Sequence, residues 1–245
     1  FAKWELNDRP GAIAAYRRQK PMPQDTLSEL HLVRAQALID LNAPRASWDA
    51  ANQALTASPT SLNARLQRGI ASFHLTEFAD AVADLRAVIA EDDARESAHY
   101  WLGLALEWTA DAGDAETHLA RARALAPERY PVIPELSTSD MQAEISRCVA
   151  GLSAEEQALA ATVPIMVVEL PDLTDLRANP PPLPPFPPTA LAMYRDRPLP
   201  GQTGLPQGPS IAVYRKNLIR AVTSPAELRE QICVTVRHEL AHAAG

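Results

Sequence analysis

The sequence predicts a multidomain protein in which an all-α helical solenoid precedes a small α+β domain. Three observations support this fold class. Small residues recur every 34 residues through the first half of the 245-residue chain, and prolines cluster near residues 127–138. Short apolar runs and one long, well-capped helical segment occupy the remainder. With 47% hydrophobic residues, the chain can bury one large core or two modest ones.

The 34-residue period is ungapped between the starts Ser28, Leu62 and Glu96. The eighth, twentieth and twenty-seventh positions of the units are small or short-chained: Ala35, Gly69 and Gly103; Ser47, Ala81 and Ala115; Ala54, Val88 and Ala122. Such residues let two helices approach closely, and a closing proline such as Pro127 stops the second helix. The pattern resembles the tetratricopeptide repeat (TPR) family, with a partial unit at 1–27 and units at 28–61, 62–95 and 96–127. Because the array begins within a unit, we expect further residues upstream.

The resemblance to TPR arrays implies a concave groove lined by the first helix of each unit. The positions expected to face this groove and bind a partner are Asn63, His74, Tyr100 and Trp108, together with Leu32, Leu66 and Phe73. Exposed tyrosine and tryptophan side chains suit the binding of a protein or peptide. The alternative is that these side chains pack between units or beneath a neighbouring domain. We interpret the other histidines of the repeats as surface or packing residues rather than metal ligands; they are His31, His99 and His118.

Residues 128–138 predict a proline-rich linker, and residues 139–245 a second domain. Within that domain, Ser139 and Ser153 open helices, and the runs 164–170, 190–195 and 210–215 have the composition of strands. The run PPPLPPFPP at 180–188 favours a polyproline II conformation. It is either a ligand for a proline-recognising domain or a rigid loop, and the flanking strands favour the loop.

The last helix carries the most informative motif of the chain. Ser224-Pro225-Ala226-Glu227 is a capping box with proline at the first helical position, and an apolar stripe at helical spacing follows it. The chain then reads H-E-x-x-H-x-x-G from His238 to Gly245. Two histidines four residues apart lie on one helix face, so His238 and His242 can bind one Zn²⁺ ion. Glu239 then lies beside the metal, where its carboxylate can accept a proton from the attacking water.

Taken together, the short helices, the strand-like runs and the final helix of residues 139–245 resemble the minimal zincins, small metallopeptidase-like proteins. The resemblance implies a small sheet packed on the metal-binding helix, with a sheet edge, either 190–195 or 210–215, pairing with the bound peptide. The family pattern places an acidic third metal ligand three residues beyond the glycine. Because the sequence stops at Gly245, we expect this ligand in a continuation of the chain.

The composition of the chain argues against several functional classes. The formal net charge is −7 and no basic run occurs, so nucleic acid is not an expected partner. No apolar stretch approaches the roughly 18–20 residues needed to cross a bilayer. Two cysteines, Cys148 and Cys233, are too few for a disulfide framework, which predicts reduced thiols and a cytoplasmic location.

Three functional hypotheses follow. The first is a zinc-dependent peptidase of the HExxH type whose TPR array recruits a substrate or partner protein. The second is a TPR scaffold or adaptor with a degenerate, non-catalytic zincin-like domain. The third, a structural metal site, ranks last because closed structural sites favour four Cys or His ligands. Glu239 discriminates between the first two, since a non-catalytic module does not need a carboxylate at that position.

Overall fold

The computed structural model describes residues 23–132, 136–178, 185–197, 206 and 208–245. Its first part is a row of antiparallel helical pairs. The pairs are α1 (Gln24–Asp40) with α2 (Pro44–Ala57), α3 (Leu62–His74) with α4 (Phe78–Glu91), and α5 (Glu96–Leu106) with α6 (Ala115–Leu125). The predicted all-α helical array is therefore present as paired helices in the described residues. The partial unit at 1–27 lies almost wholly outside the described residues.

Small residues let the two helices of each pair touch, as the sequence predicts. A β-carbon added at Gly103 would lie 2.7 Å from the side chain of Leu119, and one at Gly69 would lie 3.0 Å from Leu85. In the first pair, the hydroxyl of Ser47 donates a hydrogen bond of 2.7 Å to the carbonyl of Ala35 across the same contact. Larger side chains at these positions would force the helices apart.

The second part combines helices with a three-stranded sheet. Its elements in chain order are α7 (Thr138–Ala150), α8 (Ala154–Ala160), β1 (Ile165–Val168), α9 (Leu173–Leu176), β2 (Ala192–Arg195), β3 (Ser210–Tyr214), α10 (Arg215–Arg220) and α11 (Pro225–Ala244). The strand order is β1-β3-β2, with β3 parallel to β1 and antiparallel to β2. All three predicted strands are present in shortened form, and the predicted α+β fold is confirmed.

One apolar core joins the sheet to helices α7 and α11. Side chains of all three elements are buried in it: Met141, Ile145, Ile211, Val213, Ile232, Val236 and Leu240. Helix α11 thus buries its apolar stripe against the sheet. This contact determines the direction in which the other faces of the helix point. Within the part of the chain that the structure describes, no helix combines the length and hydropathy needed to cross a membrane.

The prediction of two reduced cysteines is wrong, because Cys148 and Cys233 form a disulfide. Helices α7 and α11 pack side by side, and the Cα atoms of the two cysteines lie 5.5 Å apart, the usual span of such a bond. The two residues are 85 positions apart in the sequence, so their spacing could not reveal the contact. The bond ties the helix that carries the HExxH motif to its neighbour.

The sheet-containing part is docked onto the helical array through several specific contacts. Leu176 of α9 is fully buried within the core of the array. The guanidinium of Arg177 donates two hydrogen bonds, of 3.0 and 2.9 Å, to the hydroxyl and carbonyl oxygens of Thr76. Thr76 has a positive φ of 61°, which is unfavourable for a β-branched residue, and these bonds help to hold it in that conformation.

Candidate functional site

The helix that carries the HExxH motif begins where the sequence predicts. The hydroxyl of Ser224 accepts a 3.2 Å hydrogen bond from the amide of Glu227, and Pro225 occupies the first turn. The helix then runs without interruption to Ala244. Its buried residues lie on the face that packs against the sheet or directly beside that face. His238 and His242 project from the exposed side of the helix.

The two histidines converge as the motif requires. Their Nε2 atoms lie 3.1 Å apart, and the ring planes are nearly perpendicular at 88°. Two nitrogen ligands at ordinary zinc distances and a tetrahedral angle are separated by about 3.4 Å. The observed separation is close to that value, so His238 and His242 fit a shared Zn²⁺ ion. Among the described residues, no group of three or more His, Cys, Asp or Glu side chains gathers to complete such a site.

Glu239 is in a different environment from His238 and His242. It is buried, with 8% of its surface exposed, and its Oε2 atom accepts a 2.7 Å hydrogen bond from the main-chain amide of Tyr194. A buried carboxylate needs such a partner, because an unpaired one would lose far more solvation energy than packing returns. The carboxylate therefore lies between the histidine face of α11 and strand β2.

The hydrogen-bond register shows which edge of the sheet faces this carboxylate. The amide of Tyr214 donates a hydrogen bond to the carbonyl of Leu191. From this pair onward, hydrogen-bonded and non-hydrogen-bonded residue pairs alternate along β2 and β3. Ala192 and Tyr194 occupy the alternate positions, and their main-chain groups point away from β3. Strand β3 is central, which leaves β2, and not 210–215, as the sheet edge beside the HExxH helix.

Residues 160–245 match a protein family described as Zincin-like metallopeptidase. The C-terminal region is zincin-like. The crystal structure of MamA is a similar solved structure, with 23% sequence identity, a TM-score of 0.39, and coverage of 61% of this chain and 80% of that one. The comparison with curated proteins gave no match. The array has the paired helices of the TPR resemblance, and the zincin-like domain carries the HExxH motif at its end.

The residues expected in the TPR groove do not share one open surface. The indole of Trp108 donates a 3.1 Å hydrogen bond to the carbonyl of Pro171 in the zincin-like domain and stacks on Phe78. His74 is largely buried beside Phe73 and Trp101, and burial lowers its pKa to about 4. Trp108 therefore packs beneath the neighbouring domain, whereas His74 packs against aromatic side chains of the array itself.

The other two groove candidates keep accessible surface. Asn63 is exposed, and its side-chain oxygen accepts a 2.9 Å hydrogen bond from Arg95 of the next unit. Tyr100 is partly buried, and its ring stacks on Tyr130 with 4.5 Å between centroids. Partner binding remains a prediction for these two positions alone.

Sequence reasoning missed the part of Tyr194 in the site. Its contribution is a main-chain amide, which any residue except proline supplies, so no side-chain pattern marks it. The available signal was positional: a strand edge had to lie beside Glu239, and the sequence offered two candidate strands. Deciding between them required the strand order.

Proposed function

We propose that this protein is a zinc-dependent peptidase of the HExxH type, with His238 and His242 as metal ligands and Glu239 as the catalytic base. The observation that supports this best is the convergence of the histidine Nε2 atoms, 3.1 Å apart, beside a buried carboxylate that is bonded to the sheet edge. A zinc ion held there would supply Lewis-acid activation of water and of the peptide carbonyl.

The protein's own groups account for the proton transfers. Glu239 accepts the proton of the attacking water and returns it to the leaving amine. The amide of Tyr194 holds the carboxylate in place, and burial limits the number of waters that compete for it. The amide of Tyr194 is already bonded to Glu239, so the main-chain groups of Ala192 and the carbonyl of Tyr194 would pair with an extended peptide lying along β2.

The helical array serves this activity as a protein-binding module. We place the boundary between array and zincin-like domain within residues 128–138, with Asn63 and Tyr100 as the accessible partner-binding candidates. The alternative function, a non-catalytic scaffold with a degenerate zincin-like domain, retains the array and the docking contacts but needs no base at Glu239. The Cys148–Cys233 disulfide favours an oxidising compartment over the predicted cytoplasmic one.

The experiment that tests the proposed function measures bound zinc and hydrolysis of a broad peptide library with one preparation of the full-length protein. Zinc bound in stoichiometric amount, with cleavage that Glu239→Gln abolishes, supports the peptidase. Stoichiometric zinc without cleavage of any library member supports the scaffold instead.

A further inference from the structure

A cleft lies between the last helical pair of the array and helix α10. Its volume is about 770 Å³, within the roughly 300–1,000 Å³ range of ligand sites. None of the described residues that line it belongs to the HExxH motif. One wall is aromatic, formed by Trp101 and by the stacked rings of Tyr100 and Tyr130. The cleft therefore offers an apolar surface at a junction between two domains.

The cleft also carries an excess of positive charge. Among the described lining residues, five are cationic and two are acidic; the cations are Arg123, Arg129, Arg215, Lys216 and Arg220, and the acids are Glu107 and Glu116. The whole chain has a formal net charge of −7. Cations are thus concentrated in this cleft against the overall balance of the protein, and such a concentration attracts anionic ligands.

The cations of the cleft already have acidic partners: Arg123 pairs with Glu116, whose side chain is exposed, and Arg215 pairs with Glu169. The carboxylate of Glu107, with 5% of its side chain exposed, is shared by Lys216 at 2.9 Å and Arg220 at 2.7 Å. One carboxylate thus faces two cations, which leaves one positive charge of this group unbalanced. Arg129 pairs with Glu96 at 2.9 Å, but 60% of the Arg129 side chain is exposed. Exposed pairs of this kind contribute little to stability, so an incoming carboxylate can compete for the guanidinium.

We propose that this cleft binds an acidic peptide segment that also carries an aromatic side chain. The carboxylates of the peptide contact Arg129, Arg123 and the exposed part of Lys216. Its aromatic side chain lies against the wall formed by Tyr100 and Trp101, where a flat apolar group has the largest contact area. Binding at this cleft depends neither on zinc nor on Glu239, and it stands independently of the proposed peptidase function.

The probe for this proposal is a fluorescein-labelled hexapeptide of alternating glutamate and phenylalanine, with a matched peptide in which glutamine replaces every glutamate. Fluorescence anisotropy with the full chain in the presence of a metal chelator gives both affinities. We expect the acidic peptide to bind at least about tenfold more tightly, and the difference to shrink when salt is raised to about 0.5 M, since exposed charges are then screened. Equal affinity of the two peptides would overturn the proposal.

Two variants locate the site. Arg123→Ala combined with Arg129→Ala removes two cations of the cleft and should weaken binding of the acidic peptide about tenfold or more. Arg121→Ala is the matched control, because Arg121 lies on the same helix as Arg123, is 45% exposed, and pairs with Asp93 outside the cleft. Equal unfolding temperatures verify the fold of each variant. A loss of affinity as large in Arg121→Ala as in the double variant, or displacement by citrate at peptide concentrations, contradicts a peptide site here.

Discussion

The carboxylate of Glu239 accepts a hydrogen bond of 2.7 Å from the main-chain amide of Tyr194. This single contact connects the helix that carries the histidine pair to the edge of the sheet. Because Glu239 is buried and Tyr194 lies in a paired strand, neither partner can move without disturbing the packing around it. The candidate base and the candidate peptide-docking strand therefore keep a fixed distance, which favours catalysis by positioning.

The first prediction concerns Glu239→Gln. Glutamine keeps an oxygen that can accept the Tyr194 amide, so we expect an unchanged unfolding temperature and unchanged zinc content. Loss of the general base should lower peptidase activity by about 10²–10⁴-fold. Activity against the best library peptide, measured beside metal content, checks both parts. A variant that hydrolyses at the wild-type rate would remove Glu239 from the mechanism.

The second prediction concerns the metal ligands. His238→Ala and His242→Ala should each lose bound zinc, because a single imidazole remains from a converging pair. Zinc content after dialysis, measured by mass spectrometry of the metal, gives the result. His31→Ala is the matched control, since His31 lies on α1 in the helical array, and it should retain all of its zinc. Equal zinc content in the three variants would show that the metal is held elsewhere.

The third prediction concerns the Cys148–Cys233 disulfide. Replacing both cysteines with serine should lower the free energy of unfolding by about 2–4 kcal/mol, since the bond closes a long loop in the unfolded chain. Urea unfolding of the variant and of wild type with and without a reducing agent checks this value. Reduced wild type should match the variant. If non-reducing peptide mapping of the native protein finds both thiols alkylated, the bond is absent and the expected difference disappears.

The fourth prediction concerns acid stability and His74. Burial lowers the pKa of His74 from 6.5 to about 4, so between these values the unfolded chain binds a proton that the folded protein does not. Stability is therefore lost as pH falls from about 6.5 to 4, with a slope of up to about 1.4 kcal/mol per pH unit from this residue. His74→Leu removes the titrating group, and its unfolding free energy should depend less on pH in this window. Identical pH slopes for variant and wild type would show that His74 is protonated in the folded state.

The sequence predicted the fold well where local patterns carry the information. The period of small residues requires close helix contacts, and Gly103 against Leu119 shows that contact directly. The cap at Ser224 and the histidine spacing fix the geometry of α11 without reference to the rest of the chain. Both features are local, because a helix determines which residues share a face.

The parts that the sequence did not predict depend on contacts between distant segments. The partners in the Cys148–Cys233 bond and in the Tyr194–Glu239 hydrogen bond are 85 and 45 positions apart. The burial of Trp108 follows from the docking of the segment around Pro171, which lies 63 residues away. Periodicity within either region contains no signal for such pairings.

The outward edge of β2 has a consequence for the behaviour of the protein at high concentration. A strand edge that can accept a peptide can also accept the same edge of a second copy, because main-chain pairing does not depend on sequence. A second copy paired along β2 would lie next to Glu239, which is bonded to Tyr194 of that strand. The four-residue length of β2 and the like charges of the two copies limit this self-association. Under the proposed peptidase function, protein that is concentrated and then diluted should therefore recover its activity with time, as the edge-paired copies separate.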